Sequence, residues 1–243
     1  MPQIQTYVVL SSNHYQSTLN QAFMRSGIEI LSYTHRLLKN RWGLAIGTSV
    51  AYGLIAVVLN LVGSSLSGPT IEALIPGLMP DYLDLNLFGV LWTGAFSFGY
   101  ARFVLKLVRQ AEPEFEDLFS GFQHWAKVTW ASIVYFVRVL LWLLLLVIPG
   151  LIKFVAYSQL WYVLQDEPQR SAREALKRSE ELMNGHKWEY VALILWCTML
   201  VLASIFTLFI GLFWFMPWIA AAQAQFYQEV KADWEQRQAP IQE

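Results

Sequence analysis

The chain is a ladder of long apolar runs that returns a Trp and a Gly to similar places three times, with a Glu-Pro pair in the two later copies. Segments of this kind can bury their backbone polar groups in hydrocarbon only as helices, so the pattern calls for a membrane protein built from repeated helical hairpins. Composition agrees: of 243 residues, 56% are hydrophobic, only 14% are charged and 11 are Trp, far from the soluble globular range. The fold class expected is all-α, a polytopic membrane helix bundle. It has six transmembrane helices arranged as three tandem helical hairpins and linked by cytoplasmic amphipathic helices.

A helix needs about 20 apolar residues to cross the hydrocarbon core. The expected spans lie at about 43–63, 87–108, 128–148, 151–165, 190–207 and 211–228. Region 128–165 is divided by Ile148-Pro149-Gly150, where Pro stops one helix and Gly permits a reversal; region 190–228 is divided near 207–211. Pro149, Gly150 and Gly211 are therefore the candidate hairpin turns. Residues 1–41 form a cytoplasmic N-terminal segment with an amphipathic helix, 42–230 the membrane domain, and 231–243 a cytoplasmic tail.

Orientation follows from Lys and Arg, which collect in cytoplasmic loops. Arg25, Arg36, Lys39 and Arg41 precede the first span, whereas 64–86 carries Glu72, Asp81 and Asp84 and no basic residue. The loops after spans two and four are basic again, with Arg109 and Lys127 in one and Arg170, Arg173, Lys177, Arg178 and Lys187 in the other. Both termini are thus expected inside, with Lys153 the exception to the charge rule. Residues 1–20 are too polar for a secretory signal, and no lipidation motif is expected.

The repeat is clearest in its later copies. Glu112-Pro113 is followed by an amphipathic stretch, Leu118-Phe119-Ser120-Gly121 and His124-Trp125. Glu167-Pro168 is followed by another such stretch and Leu182-Met183-Asn184-Gly185-His186-Lys187-Trp188. The earliest copy is the shorter Leu37-Leu38-Lys39-Asn40-Arg41-Trp42. Ser171-Ala172-Arg173-Glu174 is a capping box opening a helix whose Ala172, Ala175, Leu176, Leu182 and Met183 share one face. That face is expected on the inner membrane surface, under the bundle or against a partner.

With those residues in view, the chain resembles the bacterial integral-membrane family known as domain of unknown function 975. The resemblance runs from about Leu37 to Tyr227 and is strongest in Leu141-Trp142 to Ile148-Pro149-Gly150, Tyr157-Ser158-Gln159, Asp166-Glu167-Pro168, the Leu182 to Trp188 motif and Phe226-Tyr227. Met216-Pro217-Trp218 replaces an expected Pro-Tyr. The resemblance implies a multi-pass protein of the bacterial inner (plasma) membrane and carries no established activity.

Arg138 stands mid-span, about 20 Å along the helix from Trp125, where a cation costs several kcal/mol unless it meets water, a polar group or an anionic ligand. It is the centre of a candidate ligand cavity. Arg102 and Lys106, with Arg109, make a basic stripe explained either by headgroup anchoring or by an anion pathway. Pro217, followed by Gln223 and Gln225, is the candidate for a broken helix lining a polar cavity, with a merely kinked helix the favoured alternative. Gly43 and Gly47 form a small-residue stripe for internal packing or homodimerisation. His124 and His186 are read as interfacial hydrogen-bonding groups, and Cys197 as a packing residue. No metal site and no cofactor are expected. The partners are the lipid bilayer and either another membrane protein or a second copy, with no nucleic acid, since the net charge is only -1.

An enzyme is the weakest class, because protease, zinc-helix and phosphate-loop motifs are absent from the sequence. The expectation is a non-enzymatic membrane protein with a transport-related or accessory role. Its alternative is a small-molecule or lipid carrier with a polar cavity around Arg138, and a more distant one is an intramembrane enzyme.

Overall fold

The computed structural model describes residues 26–74 and 87–238, and every regular element among them is helical. The α-helices are α1 (Gly27–Leu37), α2 (Trp42–Leu74), α3 (Leu87–Val108), α4 (Trp125–Leu145), α5 (Val147–Ala156), α6 (Leu160–Asp166), α7 (Ala172–Leu182), α8 (Lys187–Ala203) and α9 (Leu212–Gln238). Short 3-10 helices cover Phe115–His124 and Ser204–Thr207. Two segments, Trp42–Gly63 and Lys187–Thr207, are long and apolar enough to cross a membrane.

Helix α3 is the axis of the assembly. It packs against α2, α4, α6, α9 and the 115–124 helix, and buries Ala95, Phe98, Phe103, Val104, Leu105 and Leu107. Two glycines set the closest approach: a Cβ on Gly99 would overlap the Leu118 carbonyl, and one on Gly121 would overlap the Ala95 carbonyl. The backbones of α3 and the 115–124 helix therefore touch at two places, each made possible by a glycine on one side. The face opposite the charged helix ends is apolar and exposed, as Leu145, Ile148, Leu195, Phe206 and Ile210 show.

Several expected boundaries move. The break after span three falls at Leu146, whose extended backbone (φ −161°, ψ 135°) ends α4 and caps α5, and not at Ile148-Pro149-Gly150. Pro149 instead occupies the first turn of α5, where its missing donor has no intrahelical partner to lose, and the Gly150 N–H donates to the Leu146 carbonyl at 3.1 Å. Expected span 151–165 is not one helix, because a turn at 157–159 separates α5 from α6. The reversal before α9 uses left-handed backbone at Leu208 and Phe209 (φ 50° and 66°), and Gly211 contributes room for the Thr207 hydroxyl, to which its N–H donates at 3.0 Å. Residues 231–238, expected as tail, continue α9.

α1 begins with a second capping box, in which Ser26 and Glu29 satisfy each other's backbone donors. Trp218 on α9 donates its indole N–H to the Leu31 carbonyl at 2.7 Å, fixing α1 against the bundle.

Gly99→Ala should lower stability in detergent by about 1–3 kcal/mol through overpacking. Gly47→Ala, where a Cβ meets nothing within 4 Å, should instead gain about 0.5–1 kcal/mol from reduced chain entropy. Thermal unfolding of both variants checks the pair; equal effects would contradict the close approach.

Candidate functional site

The helix ends near Trp42, Val108, Trp125, Asp166, Lys187 and Lys231 meet in one polar region. Residues Arg102, Lys106 and Arg109 lie on one face of α3 because their spacing follows the helical repeat. Asp117, opposite them on the 115–124 helix, has a side chain only 6% exposed. One of its oxygens meets Arg102 Nε at 3.2 Å and Lys106 Nζ at 2.7 Å, while the other accepts the Glu114 N–H at 2.9 Å.

Asp166, at the end of α6, is the second hub. Its Oδ2 accepts from Arg109 Nη2 at 2.7 Å, Lys231 Nζ at 2.6 Å and Tyr227 Oη at 3.0 Å. Burial alone would raise its pKa, but the hydrogen bonds and positive charge of Arg109 and Lys231 outweigh that and hold it below the ordinary 3.8. Helices α3, α6 and α9 thus meet on one oxygen. Arg102, Lys106, Arg109, His124, Gln165 and Asp166 line a cavity of about 430 Å³ here.

Further pairs extend the junction. His186, buried at the start of α8, meets Glu189 Oε2 at 2.7 Å and Asp233 Oδ2 at 3.0 Å, and Asp233 also pairs with Arg237 at 2.6 Å. Glu167 pairs with Arg170 and with Arg178, whose guanidinium lies 3.3 Å above the Trp234 ring. The α5–α6 turn is sealed from α7: Ser179 Oγ donates to the Ala156 carbonyl at 2.8 Å and accepts the Gln159 N–H at 3.2 Å. Lys153 reaches Glu180 at 2.5 Å and lies near the Trp142 ring. The apolar stripe of α7, Ala172 to Met183, is consequently buried against the protein's own helices.

Among the sequence-derived candidates, Arg102 and Lys106 come together with Asp117, a counter-charge that sequence reasoning missed. The signal available was the helix start at Glu114, where the side chain three residues on caps the backbone. Arg138 lies apart, half-buried on α4, and among the described residues no hydrogen bond or ion pair reaches it. Pro217 is buried inside α9, which runs through it without a break, as the alternative of a merely kinked helix requires; Gln223 is half-buried. His124 is exposed while His186 is buried and paired, so the two share no environment. Gly43 and Gly47 are exposed and contact no other helix, which corrects the internal-packing expectation. Among the described residues, no group of three or more His, Cys, Asp or Glu is placed to hold a metal ion.

A family model described as Protein of unknown function (DUF975) matches residues 126–233. The match covers less than half of the chain, and that segment is similar to the family. No curated protein and no solved structure matches the chain. The matched segment supplies Asp166, Glu167, Arg178, His186 and Lys231, whereas α1, α2, α3 and Asp117 lie outside the match. The Asp166 hub therefore joins the matched segment to α3, which lies outside it.

Asp166→Asn should cost about 1–3 kcal/mol, the range for hydrogen bonds to a charged group, with the exposure of Arg109 favouring the lower end. Because the native pKa is lowered, the contribution is complete above about pH 3.8 and is lost as pH falls through the lower native value. Unfolding midpoints measured from neutral pH downward should therefore fall more steeply for the wild type than for Asp166→Asn; parallel curves would contradict the hub.

Proposed function

We propose that this chain is a multi-pass protein of the bacterial inner membrane with a non-enzymatic, transport-related or accessory role. The observation that carries the reading is the division of its surface. One end gathers the ion pairs around Asp117, Asp166 and Asp233, and the rest exposes large apolar side chains such as Leu145 at 68%, Ile148 at 73% and Phe206 at 92%. So much exposed apolar surface in water would drive aggregation, whereas in a bilayer it meets its own kind of solvent.

In this reading α2, α3, α4, the α5–α6 pair, α8 and α9 cross the membrane as three hairpins, with both termini and the charged end in the cytoplasm. Each amphipathic element, α1, 115–124 and α7, precedes a helix that begins at or next to an interfacial Trp. The burial of the α7 stripe turns an accessory role toward other surfaces, since that helix is already occupied by its own bundle. A carrier is the second reading, and one observation favours it: Arg138 is half-buried in an apolar helix without a protein partner among the described residues.

In a Cys197→Ala background, Ser65→Cys should react with a membrane-impermeant maleimide on intact cells, and Lys177→Cys only after permeabilisation. Labelling of both sites from outside, or recovery of the chain in the soluble fraction, would contradict the topology. For the carrier reading, native mass spectrometry should find a small molecule or lipid that the wild type retains and Arg138→Leu loses; identical spectra would remove that reading.

A further inference from the structure

Most cations of the charged end meet the protein's own carboxylates; among the described residues Lys127, Arg173 and Lys187 do not, and neither do three that share one cavity. Arg102, Lys106, Arg109, Arg170, Arg178, Lys231 and Arg237 each meet an Asp or Glu. Arg36, Lys39 and Arg41 meet none among the described residues, yet they line one cavity of about 460 Å³ between α1, the α1–α2 corner and the end of α3. Among the described residues no carboxylate lines it. Nor could residues 1–25 supply one, because they contain no Asp or Glu.

The cavity is shaped as well as charged. Arg41 is held in place by donating Nη1 to the Ala111 carbonyl at 2.5 Å, which leaves its other donors for a ligand. Gln110 ends α3 in left-handed backbone (φ 56°), with the Ala111 N–H closing onto the Lys106 carbonyl at 2.9 Å. Glycine would take that cap position with less strain, but only a side chain such as Gln brings an amide to the cavity wall. Asn40 adds a second amide.

We propose that this cavity binds the phosphate of an anionic phospholipid headgroup, a site that rests on the membrane reading above. Position selects the lipid over a soluble anion. The cavity opens at the residues that lead directly into α2, whose segment Trp42–Gly63 is apolar enough to span a bilayer. Beyond it Gly43 and Gly47 leave a bare track along α2, flanked by exposed Leu44 and continued by Leu54 and Val58. A phosphodiester held by Arg36, Lys39 and Arg41 would lay its acyl chains along that track.

The test is native mass spectrometry of the full chain in detergent with an equimolar mixture of phosphatidylglycerol and phosphatidylcholine. The wild type should retain phosphatidylglycerol preferentially, and each cation removed should weaken that preference about fivefold. Lys39→Gln should thus lose about fivefold and Arg36→Gln/Lys39→Gln about twenty-five-fold, while Lys177→Gln, at a side chain 78% exposed on α7, should match the wild type. Because Arg36 and Lys39 are exposed, unfolding midpoints should not move. A double variant that keeps the preference, or a wild type without one, would overturn the proposal. Displacement of the lipid by inorganic phosphate would overturn the choice of a lipid ligand. Alkaline extraction of native membranes separates the two failures: release of the chain contradicts the membrane reading, whereas a chain that stays inserted and shows no preference contradicts only this site.

Discussion

A single carboxylate oxygen, Oδ2 of Asp166, receives Arg109 from α3 and Lys231 and Tyr227 from α9. In the proposed membrane setting, helices gain nothing from excluding water from one another, so their relative placement would depend on close packing and on polar contacts at their ends. Asp166 provides such a contact between elements more than fifty residues apart in sequence. Asp117 repeats the device for Arg102 and Lys106 on the same α3 face. The cations that look from sequence like a membrane anchor are also paired with the protein's own carboxylates, whereas Arg36, Lys39 and Arg41 around α1 are not.

Packing supports the same arrangement. Gly99 of α3, against Leu118, and Gly121 of the 115–124 helix, against Ala95, let the two backbones approach closely, and Asp117 reaches two cations across that contact. Where the chain breaks between α5 and α6, Ser179 accepts and donates in place of the missing helical bonds, and Lys153 and Glu180 tie the same pair of elements. The amphipathic α7 is in this way part of the core, and its apolar face serves the bundle before it could serve any partner.

The all-helical class, the ends of α3 at 87 and 108 and the capping box of α7 were legible in the sequence, because hydrophobic length and local capping chemistry are local properties. The same logic could have found Ser26-Gly27-Ile28-Glu29. Local signals also explain the misplacements. Proline suits both a helix stop and a first helical turn, so Pro149 could not distinguish a break at Leu146 from one at its own position. The polar end of α9 reads as tail when apolar content defines a span, although Asp233, Trp234 and Arg237 hold it in place. What could not be read were the partners: the face of Arg102, Lys106 and Arg109 was visible, but nothing local announces that its carboxylates come from residues 117 and 166.

The central claim is that the Asp166 hub couples the helix ends and does not merely decorate an assembly already fixed by packing. A double-mutant cycle on Asp166→Asn and Lys231→Met, read from unfolding free energies in detergent, tests it most directly. The account predicts non-additivity of about 1 kcal/mol or more, as for residues sharing one buried network. Additive effects would show that α6 and α9 are held together by other contacts and would contradict it.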